Sequence, residues 1–280
     1  MALKSEERRT KAGAFLFLAV VTVLWVAPLI WIISTSLKPE SEAISWPLRW
    51  IPETLTFENY IHVITDTDQS PILLWFWNSL VIASVHTLLI LIVDSLSAYA
   101  FARMEFRGKE ALFWALMATM MIPTVMNFVP LYAIIDKLGW IDTKLAMIVP
   151  GLGGVFGIFL LRQFFQGIPR DLEEAARIDG ANTFQIFYRI ILPLAKPALV
   201  TLALFTFLAN WNDFLWPLIV TNNVETRTLP VGLSSLQGAY TIQYAKLMAG
   251  TVLSAVPVLV LFLFSQRFFV RGIAMSGIKG

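Results

Sequence analysis

The sequence predicts an all-α integral membrane protein with six transmembrane helices. Three observations carry that reading. The chain of 280 residues is 57% hydrophobic and only 14% charged, where a soluble domain carries about 25% charged residues. Six segments are each apolar over the roughly 20 residues that cross a bilayer core. Lysine and arginine are unevenly shared between the connecting segments, as in multi-pass proteins. A chain of mean hydropathy +0.70 cannot cover itself with polar surface, so the bilayer is its expected solvent.

The expected spans are residues 13–33, 74–101, 111–131, 145–161, 198–219 and 247–269. The first is too long for a signal peptide, and no small-residue cleavage site follows it. The second is long enough to tilt or protrude. The fourth holds Pro150, Gly151, Gly153, Gly154 and Gly157, so it is expected to bend or pack closely. With the N-terminus inside, 15 of the 21 basic residues fall in or beside the inner segments and 6 in the outer ones. Both termini are therefore expected in the cytoplasm of a plasma (inner) membrane protein. The chain reads as one domain: a tail 1–12, a transmembrane region 13–270, an inner loop 162–197 and a tail 271–280.

Composition also removes function classes. A net charge of +2 gives no reason to expect a nucleic-acid partner. There is no cysteine, so disulfides and thiol catalysis are excluded. The two histidines, His62 and His86, make no zinc site and no nucleophile–base constellation, so neither a metal nor an enzyme activity is expected.

The 162–197 loop is the most informative segment. Asp171 is placed to cap a helix, with Glu174 three residues on as its capping-box partner. Residues 172–179 then read as a short helix. Gly180 supplies the left-handed position that ends it. Asn182 or Thr183 caps a second helix through about Ile191, and Pro193 and Pro197 close the segment. Leu172, Ala175 and Ala176 are expected on one face, where small side chains admit another protein. Glu173 and Glu174 sit at the helix N-terminus, where the helix dipole favours acids. On local chemistry alone this is a capped helix–Gly–helix elbow with no identified partner.

Residues 174–197, EAARIDGANTFQIFYRIILPLAKP, resemble the EAA signature of binding-protein-dependent ABC importer permeases. The match runs through Glu174, Ala175, Ala176, Asp179, Gly180, Ala181, Phe187, Ile190, Leu192, Pro193 and Pro197. The stretches APLIWIISTSLKPESE, SLSAYAFAR, MIPTVMNFVPLY, LGWIDTKLAMIVP, FLANWNDFLWPLIV and SGIKG are similar to the carbohydrate-uptake, maltose-G-like members. The resemblance implies a non-catalytic permease subunit, paired with a second, maltose-F-like permease subunit. It implies an ABC ATPase dimer below, an extracytoplasmic solute-binding protein outside and a sugar substrate. It also implies that Glu173, Glu174, Ala175, Ala176, Asp179, Gly180 and Ala181 form the ATPase-coupling helix. The chain has no GxxxxGK[ST] loop. No cofactor is therefore expected on it, with ATP and Mg on the partner ATPase. In such relatives the C-terminal tail reaches between the ATPases; a frayed terminus is the alternative reading of residues 271–280.

Polar groups inside a span are costly and tend to face the bundle interior or a water path. The fifth span offers Asn210, Trp211, Asn212, Asp213 and Trp216 as a substrate path, with the interface belt as the plainer account of the tryptophans. Asp94 and His86 in the second span are read as structural, Asn78 and Asn127 as weaker path residues, and Met120, Met121 and Met126 as packing residues. Glycerol phosphate is the alternative substrate. A secondary transporter is the alternative mechanism, disfavoured because no paired broken helices are evident in matching halves.

Overall fold

The computed structural model describes residues 2–68, 70–237 and 243–276, with side chains described for 11–68, 70–237 and 243–266. Every regular element among the described residues is helical. The chain begins with α1 (Ala2–Ser36), α2 (Glu40–Ala43), α3 (Glu58–Thr65) and α4 (Ile72–Arg103). Then come α5 (Lys109–Thr119), α6 (Phe128–Lys137), α7 (Leu145–Ile148) and α8 (Val155–Gln166). The elbow comprises α9 (Asp171–Ile178), α10 (Thr183–Ile186), a π-helical turn at Phe187–Ile191 and α11 (Leu192–Leu194). The chain ends with α12 (Lys196–Trp211), α13 (Leu215–Val220), α14 (Leu229–Ser235) and α15 (Tyr244–Ser276).

Three stretches, Lys11–Ser36, Ile72–Arg103 and Tyr244–Gln266, are single helices long and apolar enough to cross a membrane. The count rises to five if two bent pairs are each taken as one span. One pair joins α5 to Thr124–Lys137 at 94°; the other joins Thr183–Leu194 to α12 at 77°. The expected fourth span is interrupted by left-handed Gly151 and Gly153. It leaves the 12-residue α8, about 18 Å long against a core of about 30 Å. The expected third and fifth spans are broken too, at residues 120–123 and 212–214. Broken helices are thus present, in consecutive spans. Met120, Met121 and Met126 stand exposed at the first break rather than packed inside. Methionine there meets apolar surroundings only if bilayer or a partner supplies them. The 1–12 tail continues α1 from Ala2, and α15 carries the C-terminal tail as helix to Ser276; residues 277–280 lie outside the described set.

The chain divides into two compact units. The first takes in the described residues of 1–73 and 233–256. Its centre is Lys38, 1% exposed, whose ammonium donates to the Arg49 carbonyl and lies 4.6 Å from the Trp31 ring centroid. The Asn59 amide donates to the carbonyls of Ser36 and Lys38 at 2.9 and 2.7 Å, which satisfies the end of α1. The Glu40 carboxylate accepts the backbone N–H groups of Tyr244 and Ala245 at 2.7 and 2.9 Å, capping α15. Lys246 reaches Asp66 at 2.6 Å and Ser70 at 2.7 Å.

The second unit takes in the described residues of 74–232 and 257–280. Its main core gathers α4, α8, the elbow and α12 around Tyr99, Leu161, Phe165, Ile186, Ile191 and Leu202. A second cluster packs α6, α7 and α13 around Ile135, Met147 and Trp216. Arg162 ties α8 to α4 and α5: its guanidinium lies 3.9 Å from the Phe113 ring centroid and 3.4 Å from Glu110. Asn78, a weaker path residue by sequence, is buried and donates to the carbonyls of Glu225 and Arg227.

Asp142 fixes the turn after α6 to the segment after α13. At φ 60° it holds a left-handed conformation that aspartate tolerates better than most residues. Its carboxylate accepts from Asn222 N–H at 2.6 Å, Asn223 N–H at 2.9 Å and the Thr226 hydroxyl at 2.8 Å. Partial burial opposes the charge, but the hydrogen bonds from Asn223, Thr226 and Asn222 outweigh it and hold the carboxyl below its ordinary 3.8. A lowered value means that the anion stabilises the fold at neutral pH, and that this stabilisation is lost as pH falls through the lowered value. Hydrogen exchange of residues 221–227 is expected to accelerate in strong acid, and Asp142→Asn to flatten that dependence. Exchange independent of pH in the unaltered protein, after correction for intrinsic rates, contradicts the assignment.

Candidate functional site

The elbow is built by local chemistry. Helix α9 begins at Asp171 with Arg170 as N-cap and no side-chain cap, so the expected Asp171–Glu174 capping box is absent. The helix starts one residue early, which puts Asp171 inside its first turn. Its end follows expectation. Gly180 adopts φ 83°. Ala181 N–H bonds to Ala176 O at 2.9 Å and Gly180 N–H to Arg177 O at 3.0 Å, which is the Schellman pattern. The second helix is capped by Asn182: Gln185 N–H donates to its side chain at 2.9 Å, and Asn182 N–H donates to Gln185 Oε1 at 2.8 Å. Leu192 N–H closes the π turn onto Phe187 O. Pro193 follows with no N–H to continue the ladder.

The faces of α9 differ from the expected stripe. Leu172 and Ala175 point outward with Glu174, Ile178 and Asp179. Ala176 instead packs on the main core, as does Ala181. Glu173 is 5% exposed and also faces inward. Its carboxylate lies 2.8 Å from Arg103 Nε, with the two side chains 6% and 4% exposed. Arg103 Nη2 also donates to the carbonyls of Phe165 and Ile168, at 2.6 and 2.5 Å. One guanidinium at the end of α4 thus binds α9 and the residues ending α8. Tyr99 adds a ring contact with Phe187, centroids 5.0 Å apart. The sequence marked Glu173 only as an acid at a helix N-terminus. Arg103, 70 residues earlier, is the partner that local patterns do not reveal.

Gly180 has nothing within 4 Å of where a Cβ would stand. Gly180→Ala is therefore expected to cost only the left-handed strain, about 1–2 kcal/mol, with Gly180→Asn milder. Thermal melts of the purified protein check the order; an alanine variant that melts like the unaltered protein refutes the strain argument.

The substrate-path set is dispersed. Trp216 donates to Ala146 O at 2.8 Å and is 7% exposed, so it is a packing residue. Trp211 is 3% exposed and stacks on Phe207. Asn212 is exposed and bonds to Leu208 O. Asp213 stands at the helix break beside α13, its carboxylate bonded to backbone N–H groups of Trp216 and Phe214. Of this set, Asn210 lines a largely apolar cavity of about 430 Å³ whose polar groups also include Asp94, His86 and Thr206. Asp94 is fully buried, and a Cβ on Gly157 would fall 2.0 Å from its Oδ2. The carboxyl therefore rests on the bare first turn of α8, where the dipole favours an anion.

Long apolar helices, bent spans and a capped elbow locked to the core define a multi-pass membrane transport subunit. The chain belongs to the family of binding-protein-dependent transport system inner membrane components, whose model matches residues 95–275. It is 37% identical to the arabinooligosaccharides transport system permease protein of Bacillus subtilis, over 95% of this chain and 94% of that one. It is 34% identical to the trehalose/maltose transport system permease protein of Thermococcus litoralis, over 93% and 94%. Its fold matches a bacterial ABC transporter involved in import of the acidic polysaccharide alginate, with TM-score 0.82 and 24% identity over 94% and 98% of the two chains.

Proposed function

We propose that this chain is one of two permease subunits of an ATP-driven importer for a neutral oligosaccharide. A solute-binding protein delivers the sugar, and partner ATPases hydrolyse ATP. Family membership and the sugar transport named for both relatives support this reading. The chain crosses the membrane six times with both termini inside. The fold neighbour imports an acidic polymer, but the cavity around Asn210 has no lysine or arginine in its lining. An anionic cargo such as glycerol phosphate has no counter-charge there.

The observation that carries the coupling role is the two-faced helix α9. Leu172 is 44% and Ile178 86% exposed on a short helix whose other face is ion-paired to α4. Exposed apolar side chains on an otherwise polar loop mark a protein contact. The outward face, with Glu174, Ala175 and Asp179, seats on an ATPase. The inward face, with Glu173, passes its displacement through Arg103 to α4 and α8. Gly180 and Ala181 keep the turn stiff.

Co-expression with the neighbouring permease, ATPase and binding protein tests the reading. The complex is expected to co-purify and to import sugar in proteoliposomes only with internal ATP. Leu172→Asp is expected to shed the ATPase while the chain stays folded in the membrane. Import driven by a proton gradient without ATPase would overturn the proposal.

A further inference from the structure

We infer that the cavity walled by α4, α8 and α12 is a binding site for a neutral polyhydroxyl ligand. In it a sugar ring is held by Asp94, Asn210 and His86 against the rings of Phe156 and Phe205. The inference rests on the importer reading above and adds to it a site on this subunit.

The chemistry of the lining selects the ligand. The volume of about 430 Å³ falls within the ~300–1,000 Å³ range of small-molecule sites. Asp94 is fully buried, and its carboxylate meets the Gly154 N–H but no side-chain donor among the described residues. A buried carboxylate has more acceptor sites than one donor fills, so an arriving hydroxyl stabilises it. His86 Nδ1 lies 2.7 Å from the Ile148 carbonyl. A carbonyl only accepts, so Nδ1 carries a proton, and in the neutral ring Nε2 is left as an acceptor. Asn210 donates its Nδ2 to Thr206 O at 2.9 Å, which leaves Oδ1 as an acceptor.

Three acceptors around one cavity call for a ligand rich in O–H donors. An anion meets a carboxylate and no lysine or arginine. A metal ion lacks its usual ligand set, since no group of three or more histidines, cysteines or acids that could hold one occurs among the described residues. The remaining wall is aromatic. Phe156 and Phe205 stand edge to face with centroids 6.2 Å apart, and are 46% and 54% exposed. They offer flat apolar surface to the C–H face of a sugar ring.

The chain has no cysteine, so Ala209→Cys, in the cavity wall, gives a single reporter thiol. The assembled complex in proteoliposomes is treated with a water-soluble methanethiosulfonate, and modification of this chain is read by mass. Arabinotriose, lactose and maltose are supplied in turn with the binding protein and ATP. The sugar that the unaltered complex imports is expected to slow modification severalfold. Independently, Asn210→Leu is expected to raise the KM for that sugar about tenfold, the equivalent of about 1.4 kcal/mol for one lost hydrogen bond. Gln163→Leu, exposed on α8 and outside the cavity lining, is expected to leave KM unchanged. Equal modification rates with and without an imported sugar, or an unaltered KM in Asn210→Leu, overturn the site while the importer reading stands. No import of any of the three by the unaltered complex overturns that reading, and the site with it.

Discussion

Replacing Glu173 with lysine is expected to destabilise the protein by about 3–5 kcal/mol and to abolish uptake. The reason is the burial of its partner. Arg103 and Glu173 are 4% and 6% exposed, and the change leaves two cations facing each other out of water. Removing one member of a buried ion pair has that order of cost, because the remaining charge cannot regain its hydration. Glu173→Gln keeps an acceptor for Arg103 and is expected to be milder. Exchanging the pair, Arg103→Glu with Glu173→Arg, restores attraction only in part. A carboxylate at 103 cannot donate to the Phe165 and Ile168 carbonyls that Arg103 now satisfies. Melting temperature of the purified complex reads the structural cost. The ratio of sugar imported to ATP hydrolysed reads the coupling. A Glu173→Lys complex with normal melting and a normal ratio refutes the anchor.

Gly232→Ala is expected to cost about 3 kcal/mol, the upper end of ordinary overpacking. A Cβ there would fall 2.1 Å from two ring atoms of Trp75 and 2.7 Å from a third. Trp75 cannot step aside. It is 0% exposed, and its indole N–H is held by Val224 O at 2.7 Å. A rigid ring in a filled space forces the backbone to move, unlike Gly180, where a Cβ meets nothing. Trp75→Leu in the same chain is expected to recover part of the loss by opening room. Melts of the two variants decide the matter; Gly232→Ala matching the unaltered protein means the ring has slack that the packing denies.

Features that depend on near neighbours in the chain were legible in the sequence. Gly180 and Asn182 do what their residue types dictate, and the elbow follows. The glycines of the fourth expected span announced a bend or close packing, and at Gly151 and Gly153 the structure goes further and interrupts the helix. Features that depend on distant partners were hidden. Glu173 looked like Glu174 until Arg103 came beside it. Trp211 and Trp216 were open between a path and the interface belt, and their contacts with Phe207 and Ala146 O are ones that no local pattern shows. The break at 120–123 ends on Pro123, which disfavours a helical residue before it, and that at 212–214 holds Asn212 and Asp213; a hydropathy average over about 20 residues reads across both. Asp142 carries no motif at all, since its donors lie about 80 residues on. Asp94 was legible as a costly acid in a span, but not as the neighbour of Asn210.

The Glu40 cap has a consequence for how the chain is made. Its partners, the first N–H groups of α15, are separated from it by 204 residues. At a synthesis rate of about 5–20 residues per second, they emerge roughly 10–40 s later. Through that interval the first loop is already translated, and its acid has no helix to close. This part of the protein, begun first, is completed among the last.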